Sequence, residues 1–315
     1  MIGLGGLAAG ASLGPEGALL AGAGRVSVLA ARRCGMEGPE EQLLLAAGLG
    51  ALLATMFQHP IAGAVVLLEV LPATAGVPAI MVILPTLPSS AFAVLVLQVM
   101  NAHPLARLPF EYDVFRPIHP VWAVVVGVVA GAAGLMIDRS MMAMGRVTKR
   151  LDARHIALTT TVGGLVLGIL YAVGGEQTRL PGFPELVRLM ADEPDAGTVL
   201  VVVLVKILAS AWCPAVGYRG GKIFPVAFVG GAVGLLLHEL IPSLPVVVAV
   251  SVGICAAMVT ALGLPVTALL GAVALLPPDL LPPGVLGGVT AYTVHLAAEA
   301  LAPRAAEPAN VAQHS

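Results

Sequence analysis

One carboxylate organises the first part of the chain. Glu16 stands in Gly10-Ala11-Ser12-Leu13-Gly14-Pro15-Glu16-Gly17-Ala18, between a Gly/Pro-rich break and an apolar run, Ala18 to Ala31, that reads as a helix. An acid in such surroundings is costly to hold inside a membrane and marks a functional site by default. A helix that opens from a backbone break directs unpaired N–H groups into the space ahead of it, where they replace an anion's water. A carboxylate beside those amides can take the anion's place and leave when protonated, which is how a gate behaves. The alternatives for Glu16 are a cap on its own helix start or an ion pair with a nearby Arg.

A second Gly-rich start lies at Gly220-Gly221-Lys222-Ile223-Phe224-Pro225, ahead of an apolar run to about Leu240. The two glycines let the backbone turn and approach a ligand closely, and first-turn amides with the helix dipole supply the attraction. Because such a site uses main chain, the side chains of Lys222, Ile223 and Phe224 are free to vary, and Lys222 adds positive potential near the entrance. The plain alternative is a loop between two spanning helices.

Other reactive types carry less. Glu69 closes the short apolar run Ala64–Val70, which places it at an interface or beside a path. His59, ahead of Pro60, reads as a packing histidine, and His238-Glu239 as a solvated helix end. Gly10-Ala11-Ser12-Leu13-Gly14 fits G-x-S-x-G, the nucleophile elbow of serine hydrolases, but needs a positioned histidine from among His59, His155, His238 and His295. Cys34, Cys213 and Cys255 are scattered and read as three small buried thiols, so no disulfide framework, metal site or cofactor is expected.

The elements that position these groups follow from composition. The 315 residues are 58% hydrophobic and 11% charged with a mean hydropathy of +0.97, which excludes a disordered chain or an ordinary soluble domain and predicts an all-α polytopic membrane protein. Sixteen basic against 18 acidic residues give no surface for nucleic acid. Met1 opens directly onto apolar sequence without a charged leader, so the start reads as a segment joined partway, with material missing upstream. Apolar runs recur to about residue 301, and several fall short of the ~20 residues needed to span a bilayer.

Two of the short runs correspond. Ala54-Thr55-Met56-Phe57-Gln58-His59-Pro60-Ile61 and Val259-Thr260-Ala261-Leu262-Gly263-Leu264-Pro265-Val266 share Thr and Pro at an offset of 205 positions, and the same offset carries Glu16 onto Gly221. Each half then has a Gly-rich helix start followed by a Pro-initiated short helix; chance in an Ala/Gly-rich chain is the rival explanation. An inverted repeat would bring the two Gly-rich starts together near the midplane. This predicts a first membrane repeat over 1–137, a basic loop over 138–155 that the positive-inside rule makes cytoplasmic, a second repeat over 156–301 and a disordered tail over 302–315. The polar segment 174–196 reads as a loop or interfacial helix.

Ser12-Leu13-Gly14-Pro15-Glu16-Gly17-Ala18 resembles the S-x-G-[RK]-E-G-P signature of CLC chloride channels and proton-coupled chloride antiporters. Phe57-Gln58-His59-Pro60-Ile61-Ala62-Gly63 with Glu69 is similar to that family's F-N-A-P-L-A-G helix and terminal glutamates, and Gly221-Lys222-Ile223-Phe224-Pro225 to its G-x-F-x-P motif. The fit is closest to a bacterial branch of ion-channel or ion-transport proteins. The resemblance implies an inverted-repeat fold with short and broken helices and a multi-pass homodimer in the lipid of a bacterial cell membrane. It implies small inorganic anions, chloride first, as the cargo. Glu16 maps to the gating glutamate, and the amides of Gly17, Ala18, Gly221, Lys222, Ile223 and Phe224 to the anion site.

The departures bear on mechanism. Pro15 replaces a basic residue and lacks an N–H, Ala18 replaces a proline, and the early G-S-G-I-P serine motif and late tyrosine find no match; Tyr292 lies too close to Pro265. The internal proton glutamate aligns with Val70, and Glu69 with its neighbour, which favours a passive anion channel over a proton-coupled antiporter using Glu69 as its proton route. An intramembrane serine hydrolase and an inactive truncated member are the remaining readings; otherwise no enzyme is expected.

Overall fold

The computed structural model describes residues 2–8, 10–70, 78–102, 116–148 and 156–301. Among these residues the chain forms thirteen α-helices: α1 Ile2–Ala8, α2 Glu16–Arg33, α3 Pro39–Phe57, α4 Pro60–Val70, α5 Ala79–Val99, α6 His119–Thr148, α7 Ile156–Gly174, α8 Phe183–Ala191, α9 Ala196–Ala215, α10 Ile223–Leu240, α11 Val246–Leu262, α12 Pro265–Leu275 and α13 Leu281–Leu301. Five of them, α3, α5, α9, α10 and most of α6, are long and apolar enough to cross a membrane.

Local sequence sets the ends. Pro39 opens α3 with Glu40 and Glu41 in its first turn, where a fixed φ and negative charge both favour a helix start. Asp195 caps α9 by accepting from Gly197 N (2.9 Å) and Thr198 N (3.2 Å), and these bonds with the Thr198 hydroxyl hold its carboxyl below the usual range. Helix α11 is buried without interruption from Val248 to Ala261, as expected of a helix that is apolar all round, and α6, α10, α12 and α13 surround it. Small residues permit that approach: a Cβ at Gly230 would lie 2.6 Å from the Ala257 methyl, and one at Gly234 2.9 Å from the Val250 Cα.

A shift of 205 positions carries the bounds of α4, 60–70, onto those of α12, 265–275. It also carries Gln58, the left-handed C-cap of α3 (φ 51°), onto Gly263, the left-handed C-cap of α11 (φ 65°). Packing follows the same order in both halves. α3 touches α2, α4 and α5, while α11 touches α10, α12 and α13, and α4 meets α12 across the middle.

Two expectations change. The basic stretch 138–155 is not wholly a loop, because α6 continues to Thr148 and carries Asp138, Arg139 and Arg146 on its last turns. At 30 residues α6 is about 45 Å long, more than the ~30 Å hydrocarbon core requires, so its polar end is free to emerge. Residues 149–155 and the tail 302–315 lie outside the described residues. Cys34 is exposed, since it is the C-cap after Arg32 and Arg33; Cys213 and Cys255 are buried. Within 174–196 the chain forms a 3-10 turn at Glu176–Thr178 and the amphipathic α8, whose Phe183, Leu186 and Leu189 are buried.

Candidate functional site

The two Gly-rich breaks meet. Gly14 and Gly221 exchange a reciprocal pair of backbone hydrogen bonds, each 2.8 Å, which forms an isolated antiparallel bridge between chain segments ahead of α2 and α10. Both helix starts are thereby fixed against each other. Glu16, first residue of α2 and 3% exposed, turns its carboxyl group across the bridge, and its Oε1 accepts from Ile223 N at 2.6 Å. Phe224, whose amide is the next in the chain, follows in the same first turn of α10. Oε2 is buried and has no hydrogen-bond partner among the described residues. A lone pair left unpaired in a buried site is costly, so the second oxygen is held there by the first.

The glycines are required for space. A Cβ on either Gly14 or Gly221 would collide with the Glu16 carboxyl group, and one on Gly17 would come within 2.9 Å of the Gly220 carbonyl carbon. None of these three has a positive φ, so the expected turning role belongs to neighbours instead: Gly10 (φ 87°) and Gly217 (φ 88°). Pro15 is helical (φ −71°), and its carbonyl accepts from Ala18 N and Leu19 N, both at 3.0 Å. The Ala18 amide therefore sits within its own helix's bonding. Gly17 is exposed beside it, whereas the amide of Ile223 is bonded to Glu16.

Lys222 is the N-cap residue of α10 but uses its side chain elsewhere. Its Nζ donates to Asp138 Oδ1 on α6 at 2.5 Å and to Ala261 O in the last turn of α11 at 2.6 Å. Sequence reasoning missed Asp138, which stood in an expected loop.

Glu69 lies apart from Glu16 and has a different local role. Its Oε1 accepts from Val266 N (3.0 Å) and its Oε2 from Thr267 N (2.6 Å), so the last turn of α4 caps the first turn of α12. The available signal was at Leu264: α12 begins with Pro265 behind a residue that cannot cap it, and an apolar chain must then bring an acceptor from elsewhere. His59 Nδ1 accepts from Ile61 N at 3.3 Å in the first turn of α4. The Ser12 hydroxyl pairs with that of Ser210 at 3.0 Å, both fully buried, and not with a histidine among the described residues. His238 instead bonds Leu244 O, and His295 pairs with Glu299; His155 lies outside the described residues. Tyr292 stacks on His295 with ring centroids 6.0 Å apart.

Comparison with known proteins places this geometry. The chain is 29% identical over 258 residues to the "Putative ion-transport protein YfeO" of Escherichia coli O139:H28 (strain E24377A / ETEC), covering 79% of this chain and 59% of that protein. Its counterpart in Salmonella newport (strain SL254) gives the same identity over 60% of its length, so the chain spans about three-fifths of the length of these relatives. Among solved structures, a slow cyanobacterial Cl−/H+ antiporter superposes with a TM-score of 0.80 at 20% identity, covering 93% of this chain and 70% of that one. A CLC-type fluoride/proton antiporter gives 0.73 at 23% identity over 91% and 71%. The fold is thus that of a CLC-type multi-pass membrane protein. The profile of the family described as "Voltage gated chloride channel" matches residues 1–296, and the chain belongs to that family.

Proposed function

We propose that the protein carries small inorganic anions, chloride first, across the cell membrane through a path gated by Glu16. The observation that carries this reading is the Glu16 carboxylate seated on the Ile223 amide, between two α-carbons that leave room for nothing larger than glycine. A carboxylate in that position stands in for an anion. Protonation removes its charge and its claim on the amide, and a permeant anion then takes the donors of Ile223 and Phe224. Gly17, Gly221 and Lys222 contribute main chain around the same seat. The two halves, 1–137 and 156–301, act as repeats related by an inverted two-fold; the antiparallel bridge and the 205-residue correspondence of α4 with α12 support this. Each subunit of a homodimer carries its own path.

Passive conduction is the favoured mode, because Val70 stands where a proton-relaying acid would be and both oxygens of Glu69 cap α12. Proton-coupled exchange is the second reading, favoured by the likeness in fold to a Cl−/H+ antiporter and a fluoride/proton antiporter. Purified protein in liposomes separates them. Anion efflux that runs down its gradient without ever driving protons uphill supports the channel; uphill proton movement driven by an anion gradient supports the exchanger. Glu16→Gln is expected to conduct without dependence on pH, and unchanged flux with unchanged pH dependence would remove Glu16 from the mechanism.

A further inference from the structure

Lys222 and Asp138 form an ion pair one residue from the seat of Glu16. The Nζ of Lys222 reaches Asp138 Oδ1 at 2.5 Å and Ala261 O at 2.6 Å, while the next amide in the chain, that of Ile223, holds the Glu16 carboxylate. The side chains of the pair are 36% and 14% exposed, so neither is fully enclosed by protein. Ionisable groups among membrane helices face the bundle interior or a water-filled cavity, and the partial exposure of this pair fits the second. Both acceptors are features that repel anions: a carboxylate, and a carbonyl at the negative end of the α11 dipole. Lys222 lies between them and the start of α10. Two of its three N–H bonds are taken by these acceptors, which leaves a third donor.

We propose that the Lys222–Asp138 pair is the electrostatic element that sets how strongly the path attracts anions, in which Lys222 draws them to the start of α10 and Asp138 limits how strongly it does so. The inference rests on the reading of Glu16 and α10 as the anion seat. Its signs are fixed by charge. Without the lysine, Asp138 and the Ala261 carbonyl present uncompensated negative potential beside the path, and anions are turned away. Without the aspartate charge, the ammonium is freed toward the water-filled side, and anion occupancy rises. A pair that served only as a strut between α6 and α10 would behave otherwise, since loss of either end would loosen the same contact.

The experiment measures chloride efflux from liposomes of neutral lipid at low and high ionic strength, for wild type, Lys222→Met, Lys222→Arg, Asp138→Asn and the double variant Lys222→Met/Asp138→Asn. Chromatographic profile and thermal unfolding in detergent confirm that each variant is folded. Lys222→Met should lower flux about tenfold at low salt and less at high salt, as expected of screened attraction. Asp138→Asn should raise flux several-fold, the double variant should fall between the singles, and Lys222→Arg should restore most of what Lys222→Met removes. A fall in flux of similar size for Asp138→Asn and Lys222→Met overturns the proposal in favour of a strut, and so does flux unmoved by either. Absence of flux from wild type and from Glu16→Ala alike would instead remove the underlying reading of the anion seat, and the inference with it.

Discussion

At the scale of single residues, the proposed gate is a competition between one carboxylate and whatever anion the path admits. Glu16 wins in this state because its Oε1 has a 2.6 Å amide partner and because Gly14 and Gly221 clear the space for it. This makes the glycines as testable as the acid. Gly14→Ala is expected to push the carboxyl group off the Ile223 amide while leaving Glu16 titratable in place. Liposome flux of that variant should lose its pH dependence, as in Glu16→Gln, although the glutamate is still present. Flux with the wild-type pH profile would show that the carboxyl group tolerates a neighbour the geometry forbids. Glu16 and the stretch 221–224 were legible in sequence, because a charge between apolar runs and a Gly-Gly-x-x-Phe-Pro start are both rare local signals. The reason for the glycines was not legible: they read as turns, and only the juxtaposition of segments over 200 positions apart shows them as cleared space. Asp138 was hidden for the same reason, since its partner Lys222 lies 84 positions away.

At the scale of elements, short helices that cannot cap themselves borrow from each other. α12 starts behind Leu264 and takes both oxygens of Glu69 from the end of α4. Replacing Glu69 by Ala should cost about 1 kcal/mol, the usual loss of a helix cap, measured as a lowered unfolding midpoint in detergent, with Glu69→Gln in between. If Glu69→Ala left stability unchanged but altered proton movement, the carboxylate would belong to the transport path rather than to the scaffold. Packing between α10 and α11 depends on Gly230 and Gly253, whose backbones meet without side chains between them. Gly253→Val should destabilise by roughly 1–3 kcal/mol through forced separation of the two helices. The short Pro-initiated helices were legible, since Pro at a helix start and Gly at an end are local rules. The length of α6 was not, because its charged last turns look like loop until Asp138 is seen to have a partner.

At the scale of the whole molecule, two four-helix series, α2–α5 and α10–α13, repeat one order of contacts around the bridge. The periodicity of 205 was visible in two short matches, and the polytopic membrane class in composition; the inverted-repeat fold needed the motifs that carry the family resemblance. The exposed apolar faces of α5 and α7, with Leu84, Phe92, Leu165 and Val173 outward, suit lipid or a second subunit. Native mass measurement in detergent is expected to give twice the 31.8 kDa of one chain, and a purely monomeric species would remove the homodimer from the proposal. The bridge between Gly14 and Gly221 has one more consequence, for biogenesis. The gate's amide partner is made 207 residues after the gate itself. While the ribosome is still feeding the first half into the bilayer, Glu16 has no seat and the anion path has only one wall. Contacts of such sequence separation form late. Under the proposed function, the conduit and its plug come into being in the same event, and a half-synthesised chain offers the cell no leak.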